Sequence, residues 1–344
     1  MSPIDQPVVP KGSTMLVTAA NGFLGSNIAD QFLKLGYKVR GTTRDVEKNA
    51  WVSKLFDAKY GPGNFELVLV PEMKAEGAYD EAVKGVSAVC HTATNFTFSP
   101  DPNEVIPDSI KGTLNAMEAA AKEPTVKRFV LCSSSYSAIF PKPNLYVKVD
   151  ADTWNEESIA TVSDAKPPYP PELAFPVYAA SKALSEKEAW KFAAEKKPGF
   201  VLNTVLPTAI FGGSLDPVGQ GYASSSSRIV DLFKGDKGPV AQLPAQYFVD
   251  VQDAALLHVA AAIHPDIQSE RVFAFAEAAN GNAIVGALRK LYPDRTFPPD
   301  FQSDEDLSEI VPSKRAAALL RDMGQDGFTS LEECMRRNTK DVAA

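Results

Sequence analysis

The sequence predicts an α/β protein: a doubly wound parallel sheet of the Rossmann type, followed by a smaller, α-rich C-terminal lobe. Three observations predict it. Apolar runs of strand length alternate with amphipathic, helix-length runs from Thr14 to Ser133, the pattern of βαβ units. A glycine turn, Gly22 to Gly25, joins the first strand to the first amphipathic run. Strands such as Leu67-Val68-Leu69-Val70 are continuously apolar, which suits a sheet covered on both faces.

Thr14 to Thr18 is the first strand, and Leu24, Ile28, Phe32 and Leu35 mark one face of the helix that Gly36 ends, as a C-terminal cap does. A second strand is expected over Tyr37 to Thr42, a helix over Asp45 to Tyr60, and a third strand over Phe65 to Val70. A short helix is expected at Tyr79 to Lys84 and a fourth strand at Ala88 to Ala93. Glu104 to Ala121 reads as a helix that Pro107 breaks or delays. Arg128 to Ser133 is the fifth strand. Pro141 to Pro176 is rich in proline and acidic residues and too long for a connector; it is expected to fold over beside the active site. A long helix, Tyr178 to Lys196, leads to a sixth strand, Phe200 to Leu206, closed by Pro207. Later elements are Arg228 to Phe233 (helix), Tyr247 to Asp250 (strand), Ala254 to Ile263 (helix, with Asp253 as N-cap) and Arg271 to Ala276 (strand). Short helices follow at Ala283 to Leu291, Ser313 to Met323 and Ser330 to Thr339. The expected division is a dinucleotide-binding domain over 1–210, to which 245–277 returns, and a substrate lobe from 211–244 and 278–344.

Composition excludes several function classes. The net charge is −8 with no basic stripe, which argues against nucleic acid as a partner. The longest apolar stretch, Ala254 to Ile263, is interrupted by His258 and too short to span a bilayer. Met1 to Gly12 is polar and proline-rich, without the apolar core of a signal peptide. Cys90, Cys132 and Cys334 are odd in number and far apart, as for buried thiols in a reducing, cytoplasmic setting. His91, His258 and His264 are scattered, so no metal site is expected.

Four groups of residues carry chemistry. Tyr178 and Lys182 are four apart on a helix and share a face. A cation beside a phenol lowers its pKa and makes it a usable proton donor. Gly22 and Gly25, spaced G-x-x-G at a helix entrance, let a diphosphate approach backbone N–H groups. Arg40, with Arg44 behind it, stands where enzymes using NAD carry an acid for the ribose; a guanidinium suits a 2′-phosphate, hence NADPH. Ser133 to Ser135 closes the fifth strand with hydroxyls that could bond a substrate oxygen beside Tyr178.

Taken together, Thr18 to Gly25, Arg40, Ser133-Ser134 and Tyr178-x-x-x-Lys182 resemble the extended short-chain dehydrogenase/reductase superfamily. Within it the chain resembles the fungal NADPH-dependent aldehyde and ketone reductases, relatives of plant dihydroflavonol reductases. Gly36 to Thr42, Gly77 to Glu81, Lys127 to Leu131, Pro141 to Asn144 and Lys290 to Pro293 extend the likeness over almost the whole chain. The resemblance implies a triad of Ser134, Tyr178 and Lys182, with Asn115 associated with the active site. It implies cofactor contacts from Thr18, Ala20, Asn21, Gly22, Phe23, Leu24, Gly25, Arg40 and Arg44. Glu72 and Met73 would lie near the adenine, Ala93 at the ribose, and Pro207 and Thr208 beside the nicotinamide. Asn95, Phe96 and Phe98 are expected to line the pocket for a small-molecule carbonyl substrate, together with Ser134. Ala19 stands in place of the family's first glycine, and a methyl group there costs energy if the position needs positive φ. Two other readings stay open: a nucleotide-sugar epimerase or dehydratase retaining NAD, and a non-catalytic dinucleotide sensor. Monomer against homodimer is also open.

Overall fold

A computed structural model of the chain describes Ile4 and residues 6–343; Met1 to Pro3 and Asp5, within the polar N-terminal stretch, lie outside the described residues. The first half alternates strands and helices: β1 (Thr14–Val17), α1 (Phe23–Lys34), β2 (Lys38–Thr43), α2 (Ala50–Tyr60), β3 (Phe65–Leu69), β4 (Ala88–His91), α3 (Pro102–Lys122) and β5 (Arg128–Cys132). Next come β6 (Lys148–Val149), α4 (Glu156–Asp164), α5 (Ala174–Lys196), β7 (Val201–Pro207), β8 (Ala209–Phe211), α6 (Ser226–Phe233), α7 (Gly238–Ala241) and β9 (Gln246–Asp250). The chain ends with α8 (Val251–Ile263), β10 (Arg271–Ala274), β11 (Glu277–Ala279), α9 (Gly281–Leu291), β12 (Glu309–Ile310), α10 (Ser313–Asp322) and α11 (Leu331–Thr339).

Seven parallel strands form the main sheet in the order β10-β7-β5-β4-β1-β2-β3. The order reverses between β1 and β4, so the crevice for ligands opens at the carboxyl ends of those two strands. One face is covered by α1, α2, α8 and α10, whose apolar side chains (Ile28, Phe32, Phe56, Leu257, Leu319) share a core with Val17 and Val130. The other face is covered by α3 and α5. Small residues there, Gly112, Ala116, Ala179 and Ala180, are buried or nearly so and let the helices approach closely. A second sheet, β11-β9-β8, supports a separate core of Phe211, Phe233, Phe248, Ile284 and Met335.

Several sequence expectations shift. Residues 79–84 are turns, not a helix. α3 starts early, at Pro102, capped by Asp101, and runs unbroken through Pro107. Pro107 lies one turn and a half in, where a missing N–H removes a single bond. α8 is capped by Asp250, whose carboxylate accepts from the Gln252 N–H at 2.8 Å. Asp253 is instead buried in its first turn and accepts from the Thr329 N–H at 2.6 Å and hydroxyl at 2.9 Å. β9 falls in the stretch expected to return to the main sheet, yet it pairs with β8 and β11, while β10 does return. The Pro141 to Pro176 stretch is folded, carrying β6 and α4, and α4 packs on α5.

Candidate active site

The glycine turn follows β1 directly. Ala19 has φ 52°, the left-handed region, and its N–H reaches the Thr42 hydroxyl at 3.2 Å. Gly22 has ordinary φ and its N–H bonds back to the Ala19 carbonyl at 2.9 Å. The glycine that sterics demand is Gly25: a Cβ there would stand 2.4 Å from the Ala19 carbonyl oxygen. Beneath the turn, a Cβ on Gly41 would meet the Ala20 methyl at 2.6 Å and the Phe65 ring at 2.8 Å. Ala20 is fully buried and its N–H bonds the Thr42 carbonyl, so Ala20 seats the turn rather than facing the crevice. Gly22 caps α1 without any side-chain hydrogen bond. The N–H groups that open α1 at Phe23 and Leu24 are therefore offered to an anion, together with the positive end of the helix.

Thr18 also has a structural task. Its buried hydroxyl accepts from the Thr92 and Ala93 N–H groups, both at 2.9 Å, and lies 3.1 Å from His91 Nδ1. It stitches β1 to the end of β4 and fixes Ala93. Burial pushes His91 down to about 3, so this imidazole stays neutral and structural.

Arg40 corrects the expectation placed on it. β2 runs on to Thr43, so Arg40 lies in mid-strand, opposite Leu16 and Glu66. Its guanidinium is bound to Glu66 at 2.5 Å and to the carbonyls of Ala82 (2.9 Å) and Lys84 (2.7 Å). The residue just past the strand end is Arg44, which is exposed, with Lys48 exposed one turn later. Lys48 carried no motif in the sequence; its signal is only a second cation in the loop after β2.

Asn115 is likewise not aimed at reacting atoms. Its amide donates to the Met73 carbonyl at 3.0 Å and the Ala75 carbonyl at 2.8 Å. It is a positioning residue for the loop of Glu72 and Met73, and Met73 lies against Gly112. Asn95 donates to the Glu104 carbonyl at 3.3 Å and accepts from the Thr97 N–H at 3.3 Å, which shapes the loop of Phe96 and Phe98.

The triad residues do converge. Ser134 follows β5 and its Oγ accepts from the Tyr136 N–H at 3.2 Å. Ser133 beside it is taken up elsewhere: its hydroxyl donates to buried Glu186 at 2.6 Å. Tyr178 and Lys182 lie on α5, and Lys182 Nζ donates to the Cys132 carbonyl at 2.8 Å. Burial pushes the Tyr178 phenol up, and its hydrogen bond with Ser134 pulls it down. Burial also lowers the Lys182 ammonium. The phenol thus stands above its ordinary value, opposite to the lowering expected from Lys182. Tyr178 sits at the bottom of an aromatic mouth. Phe96 (5.4 Å), Phe98 (5.5 Å) and Tyr136 (5.9 Å) surround its ring, and Phe175 stands behind Phe98 at 5.3 Å. Phe96 is 52% exposed and Phe98 37%, unusual for phenylalanines and suited to an apolar substrate entrance. Pro207 ends β7, and Thr208 after it has a buried hydroxyl without a hydrogen-bond partner.

A strap from the second half of the chain crosses to the glycine turn. Gln220 donates to the Asn21 carbonyl at 3.2 Å and to Ser26 Oγ at 2.9 Å, and accepts from the Ser214 hydroxyl at 3.0 Å. Among the described residues no group of potential metal ligands occurs, and no helix is long and apolar enough to cross a membrane.

The model of the NAD dependent epimerase/dehydratase family matches residues 15–275. Aldehyde reductase 2 of Sporidiobolus salmonicolor is 44% identical over 339 residues, covering 98% of each chain. Ketoreductase adrE of Penicillium rubens is 38% identical, covering 96% of this chain and 97% of its own. The structure of Gre2 from Candida albicans with NADPH superposes with a TM-score of 0.82 at 24% identity, over 97% of this chain and 99% of that one. The parallel sheet reversing at β1 and β4 agrees with the structural match. The chain belongs to the NAD dependent epimerase/dehydratase family, within the extended short-chain dehydrogenases/reductases.

Proposed function

We propose that this protein is an NADPH-dependent reductase that converts the carbonyl of an aldehyde or ketone to an alcohol. The observation that carries the reading is the meeting of Ser134, Tyr178 and Lys182 under an aromatic mouth at the strand ends. The curated relatives at 44% and 38% identity are an aldehyde reductase and a ketoreductase.

The residues present fit the dinucleotide. The open N-terminus of α1 suits the diphosphate. Exposed Arg44 and Lys48 suit a 2′-phosphate, and the nearby Asp45 has one carboxylate oxygen taken by the Lys48 N–H at 2.9 Å. Glu72 and Met73 would flank the adenine and Ala93 the ribose. Thr208, with its unpartnered hydroxyl, would meet the carboxamide end. NADPH, when bound, supplies the hydride. The chain does the rest. Ser134 donates to the carbonyl oxygen and orients it. Tyr178 delivers the proton to that oxygen as charge develops on it, typically worth 10²–10⁴-fold. Lys182 stabilises the phenolate left behind. The raised phenol of Tyr178 keeps it protonated, as a proton donor must be.

We further infer that 211–244 and 278–344 serve as the substrate lobe. We place the protein in the cytosol, a reading supported by three unpaired cysteines. NADPH oxidation against a panel of aldehydes, α-ketoesters, aryl ketones and imines, with NADH as control, tests the assignment. No oxidation across the panel would revive the sensor reading, and NAD retained through purification would favour an epimerase.

A further inference from the structure

We propose that Glu186 is a positioning residue that sets Ser134 and Lys182 for proton delivery at Tyr178, with Arg271 as its counter-ion. The inference rests on the reductase reading above. Tyr178, Lys182 and Glu186 are spaced i, i+4, i+8 along α5, so the three share one face. Glu186 is fully buried. Its Oε2 accepts from the Ser133 hydroxyl at 2.6 Å and the Ser137 hydroxyl at 2.7 Å, and these two serines bracket Ser134. Its Oε1 accepts from Thr204 on β7 at 2.7 Å, Arg271 on β10 at 2.8 Å and the Trp190 indole at 3.3 Å. Arg271 in turn donates to the carbonyls of Ala151 (2.7 Å) and Thr153 (2.8 Å) and lies over the Trp154 ring at 3.9 Å. One carboxylate therefore ties the catalytic helix, the serine loop and two strands of the sheet to one point.

The chemistry of the network requires a charge. Every group facing Glu186 is a donor. Burial alone would raise its carboxyl, but the charge and hydrogen bond of Arg271 and the two serine hydroxyls bring it below the ordinary value. A neutral amide in the same place must turn its NH₂ toward either Arg271 and Thr204 or the two serines. In the first case the guanidinium faces a donor. In the second, neither serine donates to residue 186 any longer: Ser137 keeps the Ser134 carbonyl, 2.7 Å away, and Ser133 the Ser137 hydroxyl at 3.0 Å. Either way the loop that aims Ser134 loses its charge-assisted bonds to α5. Buried ion pairs contribute little net stability against apolar replacements, so placement of the site is the better account of this one. A displacement of about 1 Å at a reacting group can cost on the order of 10²-fold in rate.

The test compares Glu186→Gln, Glu186→Asp and Arg271→Lys with wild type, using full-length protein. NADPH-binding sites are counted by fluorescence titration, and kcat is expressed per binding site. The solvent deuterium isotope effect on kcat is then measured. For Glu186→Gln, NADPH affinity within about threefold of wild type is expected, with kcat per site down about 10–100-fold and a larger solvent isotope effect. Arg271→Lys is expected to lose less, because it keeps the charge. A kcat per site within twofold of wild type, with an unchanged isotope effect, overturns the proposal. If Glu186→Gln does not fold, Glu186→Asp and Arg271→Lys are read by the same criteria. A wild-type enzyme that oxidises no NADPH with any carbonyl would refute the reductase reading itself, a result distinct from any variant's.

Discussion

Ala19→Gly asks directly what the glycine turn costs this chain. Ala19 holds φ 52°, a conformation that disfavours a residue with a Cβ by about 1–2 kcal/mol. Glycine relieves that strain but gives the unfolded chain more freedom, at about 0.5–1 kcal/mol. The difference leaves Ala19→Gly more stable by roughly 0.5–1 kcal/mol. In a chain of 344 residues this amounts to roughly 1 °C in Tm. The opposite change at the neighbouring fingerprint position, Gly25→Ala, drives a methyl to 2.4 Å from the Ala19 carbonyl and should destabilise clearly. The assay is paired thermal melts with and without saturating NADPH. An Ala19→Gly protein that melts below wild type would refute the strain argument, because the unfolded-state term would then outweigh any relief at φ 52°.

Tyr178→Phe should keep NADPH binding and lose about 10²–10⁴-fold in kcat, measured by stopped-flow hydride transfer. Arg44→Ala should weaken NADPH relative to NADH by about 10–100-fold, the worth of one or two charge-assisted bonds. Arg40→Ala should leave that ratio alone and instead lower Tm, since its guanidinium is bound within the sheet edge. Stability should also fall with pH in the mildly acidic range. Burial, then neighbouring Asp250, raises Asp253 from 3.8 to about 6. Its contribution is therefore full below about pH 4 and is lost as pH rises through about 6. Urea titrations across that window should lose this slope in Asp253→Asn.

Much of the fold could be read because its signals are local. A continuous apolar run, a glycine exit and a helical stripe mark each βαβ unit without tertiary information. The triad was legible for a related reason: Tyr178 and Lys182 are fixed by helical spacing, and the serines by a strand end. Ser134 was preferred over Ser133 by resemblance alone; the physical reason, Ser133 bound to Glu186, needs the fold. Arg40 misled because its partners come from elsewhere in the fold: Glu66 on β3 and the carbonyls of Ala82 and Lys84 take up its guanidinium. Asp250 and Asp253 compete for one cap, and the loser is decided by Thr329, 76 residues away. Glu186 carries no signal of its own, since an isolated glutamate in a helix is most often exposed. The clue was its spacing, since a residue on the Tyr178–Lys182 face must lie against the sheet.

The Gln220 strap has a thermodynamic consequence. It fastens the stretch after β8 to the backbone and hydroxyl of the very turn that offers its N–H groups to a diphosphate. Docking of the strap and occupancy of the turn therefore draw on one free energy. By reciprocity, any factor by which the strap tightens the dinucleotide is the factor by which the dinucleotide tightens the strap. Two ordinary hydrogen bonds to the turn, about 1 kcal/mol each, cap that factor at roughly thirtyfold. With the turn occupied the strap would thus be held more firmly than with the turn empty.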